Sequence, residues 1–197
     1  MDKNIIFLKL KIWMIIHKHT KIIIRKLILL QKYEIIMNKP KHHHSDRDRI
    51  WTPLELAKTL ISKVPFGEKD FICDPCLGEG AFYNQFPESN PKFWYEIDKG
   101  KDFLKTLNRY DWCITNIPFS LPKEFIFKMA HCSKEGFGIL CLSNSMTVTR
   151  LKRLEDEFGF YPKSITEIYV KSWGFGYKTC FYVFTKEKSE NLESIIV

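Results

Sequence analysis

Acidic residues are nearly missing from the first 41 positions of this 197-residue chain, where only Asp2 and Glu34 stand against ten Lys and Arg side chains. That segment carries +8, the whole formal net charge of the protein, while residues 42–197 hold twenty-one residues of each sign and sum to zero. A net charge of zero over most of the chain excludes a uniformly basic nucleic-acid coat, and the pI of about 9.1 describes a tail. Long hydrophobic runs are missing too. Residues 5–36 are rich in Ile and Leu, yet their longest uninterrupted apolar stretch is residues 12–16, far short of the roughly 20 apolar residues a membrane span needs. No continuous apolar core or small-residue cleavage site of a secretory signal is present, and no membrane partner is expected. The six cysteines lack the spacing of a secreted disulfide framework and sit mostly in apolar runs, which reads as buried free thiols in a reducing compartment. Cys73 and Cys76 form a CxxC without a second pair or a His partner at zinc spacing, so no metal is expected.

What is present suffices for one core: 45% of residues are hydrophobic and 15% aromatic. Two segments are expected. Residues 1–41 form a basic Ile/Lys-rich extension. A basic amphipathic helix lying on phosphate or a membrane surface is one reading of it. The composition is also what an AT-rich coding strand gives, so the extension is read as poorly ordered, or as preceding a functional start at Met37. The run of His42, His43 and His44 is a solvated linker, and the domain proper is 42–197.

From Trp51 the texture changes. Thr52-Pro53 before Leu54, Leu56, Ala57, Leu60 and Ile61 predicts a capped helix with an apolar stripe. Short buried strands are expected at 71–73, 93–97, 112–115 and 138–142, with helices over 122–134 and 149–158. Strands at 165–170 and 180–185 are joined by a short loop and predict an antiparallel hairpin at one edge. Strands alternating with helices indicate an α/β fold with a mostly parallel, doubly wound sheet.

Four short segments carry the chemistry. Asp74-Pro75-Cys76-Leu77-Gly78-Glu79-Gly80-Ala81-Phe82 reads as a strand end, a tight turn on two glycines and the start of a helix, where a ligand can lie against bare backbone. Glu96-Ile97-Asp98 puts an acid at the end of the next strand, where a carboxylate can accept both hydroxyls of a ribose. Asp102-Phe103 pairs a carboxylate with an aromatic ring, suited to an adenine amine and its flat face. Asn116-Ile117-Pro118-Phe119 follows a buried strand; the Asn oxygen and the next carbonyl can accept from an exocyclic amine, and Phe119 offers a ring for stacking. Singly, each has an ordinary explanation as a turn or strand end; the order of the four is much more specific.

Together they resemble the amino-methyltransferases that use S-adenosylmethionine, above all the adenine-N6 DNA methylases, with compact phage and viral versions nearest in character. The resemblance spans residues 50–185 and implies the Rossmann-like class I methyltransferase fold. It implies that Asp74, Pro75, Gly78, Gly80 and Phe82 hold the methionine end of the cofactor, Glu96 and Ile97 its ribose, and Asp102 and Phe103 its adenine. Thr52 and Pro53 would start a helix lying over the cofactor. Asn116, Ile117, Pro118 and Phe119 would bind and activate the target amine. Nucleic acid is the implied partner, DNA ahead of RNA, and the expected location is the cytoplasm, with a nucleus or viral factory as alternatives.

Two departures stand out. Ile117 replaces the Pro usual in the DNA enzymes, and N-[I/L]-P-[Y/F] is also carried by ribosomal RNA adenine dimethylases, whose glycine turn usually lacks Asp74-Pro75. Only Lys99, Gly100 and Lys101 separate Asp98 from Asp102, so a helix and strand of the usual fold are reduced or missing. Substrate contacts are expected from Phe119 and from Trp173, Phe175 and Tyr177 in the 171–178 loop, whereas Arg150, Lys152 and Arg153 read as a solvated helix face. The same motifs also fit methylation of RNA adenines or protein glutamines, or a non-catalytic partner subunit of the same fold.

Overall fold

The run Tyr110–Asn116 buries Trp112, Cys113, Ile114 and Thr115 and has no polar face, as a central strand covered on both sides requires. In the computed structural model this run is β3, near the middle of a seven-stranded sheet. The structure describes Asp48, residues 50–170, Trp173, residues 178–188 and the backbone of 193–196, all within a unit formed by residues 43–197. The expected extension 1–41 and the loop aromatics Phe175 and Tyr177 lie outside the described residues.

The elements are α1 (Leu54–Ile61), β1 (Ile72–Asp74), β2 (Lys92–Trp94), β3 (Tyr110–Asn116), α2 (Pro122–Cys132), β4 (Ser133–Leu142), α3 (Val148–Arg153), β5 (Tyr161–Ile168), β6 (Thr179–Thr185) and β7 (Glu193–Ile196). Their order across the sheet is β2-β1-β3-β4-β6-β5-β7. The first four run parallel; β6 is antiparallel to both β4 and β5, and β7 is parallel to β5. The chain leaves β1 toward β2 on one side and returns to β3 on the other, so the sheet order reverses between β1 and β3. In doubly wound sheets the crevice at such a reversal, beyond the carboxyl ends of the strands, is where ligands bind.

Strand alternation sends one set of side chains to each face. Cys113, Phe137, Ile139, Tyr182 and Phe184 pack with α2 through Phe125, Ile126 and Met129. Trp112, Ile114, Leu140, Phe181 and Val183 pack with α1 through Ala57, Leu60 and Ile61. Tyr110 falls on the α2 face because a bulge shifts the register between it and Trp112. Five of the six thiols are buried and Cys76 is half-buried; none is in a disulfide.

Several expectations are corrected. No α-helix follows the glycine turn: a single 3-10 turn, Tyr83–Gln85, is all that forms before Pro87, which holds Phe86 extended. Helix α1 has no side-chain cap, because Pro53 occupies the cap position and the Thr52 hydroxyl is bonded elsewhere. The second helix stops at Cys132 and β4 begins at once, while α3 ends in a π turn, Leu154–Phe158, closed by Gly159 in the left-handed region. The β5–β6 pair is antiparallel as expected but is not the edge, since β6 inserts beside β4 and β7 covers β5.

The shortened stretch after β2 consists of two 3-10 turns, Ile97–Lys99 and Phe103–Lys105, joined through Gly100 and a bridge between Glu96 and Lys101. Among the described residues no strand extends the sheet beyond β2. Long cations lie over the aromatic rings of β2, with Lys101 Nζ 3.5 Å from the Trp94 ring centre. Tyr95 anchors the replacement from below, its hydroxyl sharing hydrogen bonds with Tyr110 and Thr106, both at 2.7 Å.

Candidate active site

The reversal point brings three strand ends together. Asp74 closes β1 and is wholly buried; its Oδ1 accepts from Thr115 Oγ1 at 2.7 Å and from the Cys76 N–H at 3.1 Å. Its Oδ2 is buried without a partner. Burial opposes ionisation and the neighbouring Glu96 charge adds to it, outweighing the bonds from Thr115 and the backbone, so the Asp74 pKa is pushed up to about 7.

The chain then turns on Gly78 and Gly80, with φ of 52° and 82°. Gly78 needs to be glycine twice over. Its φ is one that L side chains avoid, and a Cβ there would stand 2.8 Å from Cζ3 of Trp51. The turn is tied to the end of the next strand, since Leu77 N–H donates to the Tyr95 carbonyl and Gly78 N–H to Glu96 Oε2, both at 2.8 Å. Glu96 also caps its own turn through Asp98 N–H, and a carboxylate so engaged keeps lone pairs for a further donor. Ile97 is exposed. Pro75 and Phe82 are buried, with Phe82 stacked on Phe181 beneath the turn.

Asp102 is half-buried, accepting from Leu104 N–H at 3.0 Å and lying 3.3 Å from Lys105 Nζ. Phe103 faces inward, edge-on to Tyr95 and stacked on Phe125.

Asn116 closes β3 beside Asp74. Its Nδ2 donates to the Ile50 carbonyl at 3.1 Å and to Thr52 Oγ1 at 3.2 Å, and its Oδ1 is buried with no partner. Beyond it, Ile117 is buried with its N–H on the Leu140 carbonyl, Pro118 is buried, and Phe119 is half-buried. Ser120 then bonds Asp48 through both its N–H and its hydroxyl, at 2.9 and 2.7 Å.

A strap formed by Asp48 and residues 50–53 thus crosses both halves of the site: Asp48 on Ser120, Ile50 and Thr52 on Asn116, and the Trp51 ring over Gly78. The Trp51 carbonyl accepts from Trp173 Nε1 at 3.1 Å. Trp173 itself is buried with α1; its ring lies in the core, which corrects the expectation that it stacks on a substrate base. Thr52 is buried and Pro53 exposed.

Sequence reasoning missed Trp51, Ile50, Asp48 and Thr115. A threonine inside the otherwise apolar run Trp112-Cys113-Ile114 was a usable signal for Thr115. The strap residues carry none, because their roles depend on contacts across more than sixty positions of chain. Among the described residues no cluster of His, Cys, Asp and Glu could hold a metal, and no helix is long and apolar enough to cross a membrane.

No protein-family model matches the chain, and no curated protein matches its sequence. Solved structures do match in fold. The EcoKI modification protein of a type I restriction enzyme superposes with a TM-score of 0.57 at 14% identity, over 72% of this chain and 44% of that one. The methyltransferase subunit of a type I restriction-modification system from Streptococcus thermophilus gives 0.55 at 14% identity, over 75% and 47%. A Listeria monocytogenes protein described as a class I S-adenosylmethionine-dependent methyltransferase gives 0.54 at 10% identity, over 88% and 72%. The chain has the Rossmann-like fold of the class I S-adenosylmethionine-dependent methyltransferases, and it spans under half the length of each of the two restriction-modification subunits.

Proposed function

We propose that this chain is an S-adenosylmethionine-dependent N-methyltransferase whose target is the exocyclic N6 amine of adenine in nucleic acid, DNA ahead of RNA. The observation that carries the proposal is Asn116: a buried amide oxygen with no partner, at the carboxyl end of a central strand and at the sheet reversal. Leaving such an acceptor unpaired costs about 1–3 kcal/mol, which an arriving N–H donor removes. The same fold in restriction-modification methyltransferase subunits supports the reading.

The residues present suit the cofactor. Gly78 and Gly80 take left-handed backbone at the turn, with the Trp51 ring packed over Gly78, Asp74 Oδ2 is a second unpartnered acceptor, and Glu96 and Asp102 add carboxylates after β2. S-adenosylmethionine supplies an electrophilic methyl group on a sulfonium. The chain's own work is positioning. Asn116 Oδ1 and the Ile117 carbonyl accept from the amine, draw its lone pair out of conjugation with the ring, and meet the positive charge that develops on it. Phe119 stacks on a base turned out of its helix. Asp74-Pro75 in the glycine turn favours DNA, since the RNA dimethylases that share the N-I-P-F pattern usually lack it.

The test is to incubate the full chain with methyl-tritiated cofactor and, separately, duplex DNA, single-stranded DNA, RNA and protein, then digest and identify the labelled product. N6-methyladenine from DNA is expected. Label in RNA alone, or in glutamine, reassigns the substrate. Cofactor binding with no transfer to any of the four points to a partner subunit.

A further inference from the structure

The Asn116 carboxamide works as an acceptor only in one of its two orientations. Oxygen and nitrogen are nearly equal in size, and rotating the group by 180° would present two N–H donors to an amine that is itself a donor. Strand β3 fixes the Asn116 backbone but not this rotation. The strap does. The Ile50 carbonyl can only accept, so it selects the nitrogen; Thr52 Oγ1 takes the second Nδ2 proton from a different direction. Two acceptors on two protons hold the plane of the group as well as its sense, and Oδ1 is left on the opposite side, buried and unpartnered. The strap is itself pinned ahead of the pair by Asp48 on Ser120, and between its two members by Trp173 Nε1 on the Trp51 carbonyl.

We propose that Thr52 is a positioning residue of the transfer reaction, acting through Asn116 rather than by contact with the cofactor. This rests on the function proposed above and differs from what the family resemblance implies for a Thr-Pro at a helix start. The hydroxyl also explains the missing cap of α1: Thr52 Oγ1 accepts from the active-site amide instead of from the helix N-terminus. Valine at position 52 keeps the shape and removes the acceptor; serine keeps the acceptor.

Two measurements judge the proposal. In nitrogen-15-labelled protein, the Asn116 side-chain NH2 pair is identified by its loss in Asn116→Ala. Its exchange with solvent is expected to quicken about tenfold in Thr52→Val and to stay near wild type in Thr52→Ser; equal exchange in wild type and Thr52→Val overturns the proposal. In steady-state transfer, Thr52→Val is expected to lower kcat about tenfold with cofactor Kd unchanged, with Thr52→Ser restoring the rate. Within an Asn116→Ala background the valine should have no further effect. A raised cofactor Kd with kcat unchanged overturns the proposal by making Thr52 a cofactor ligand. A wild-type protein that transfers no methyl group defeats the functional reading, and the exchange measurement then judges Thr52 by itself.

Discussion

The Asp74 carboxyl is wholly buried, with one oxygen bonded and the other unpartnered, and its pKa of about 7 lies well above that of an exposed aspartate. The sign of the consequence is definite. The unfolded chain ionises Asp74 near pH 4 and the folded one near pH 7, so this group withdraws stability as pH rises from about 4 to about 7 and withdraws no more above that. Thermal melts of Asp74→Asn should therefore decline less than wild type across that window; parallel curves would contradict the burial argument. Binding should move the other way. A cationic sulfonium donor favours the carboxylate, so its affinity should rise as pH passes through about 7, and that rise should vanish in Asp74→Asn when followed by calorimetry.

At the scale of elements, the glycine turn and the strap form one unit, because the Trp51 ring occupies the space a Cβ at Gly78 would need. Gly78→Ala forces both a disfavoured φ, worth about 1–2 kcal/mol, and displacement of Trp51. The expected result is at least tenfold weaker cofactor binding with a fall in Tm of only a few degrees; unchanged binding would mean that the turn does not face the ligand. The sheet was largely legible beforehand for a plain reason: β3, β4 and β6 are apolar on both faces, and the short segments between them leave room for few topologies. The glycine-turn helix was misread because the turn signature is the same whether an α-helix or one 3-10 turn follows, and only Pro87 distinguished them. Thr52 was legible as important but not in role, since Thr-Pro before an apolar stripe looks alike for a cap, a ligand and a strut. The strand β7 has just four residues, two of them polar, and its pairing with β5 leaves no periodic trace.

For the whole molecule, charge and chemistry are separated along the sequence. Every motif of the site lies in the neutral part, residues 42–197, and the +8 lies before it. Attraction to phosphate and recognition of the amine should then be separable by experiment. Removing residues 1–36 takes away eight of the ten basic residues and should flatten the dependence of DNA affinity on salt, while leaving kcat at saturating DNA within about twofold. A large loss of kcat instead would place part of the active machinery in the extension.

The central claim is that Asn116 Oδ1 is the acceptor for the target amine, and Asn116→Ala tests it most directly. Methyl transfer to adenine N6 should fall by about a hundredfold or more, while the protein stays folded, with a fall in Tm of only a few degrees from the lost strap bonds, and still binds the cofactor. Transfer that survives the substitution undiminished would contradict the account.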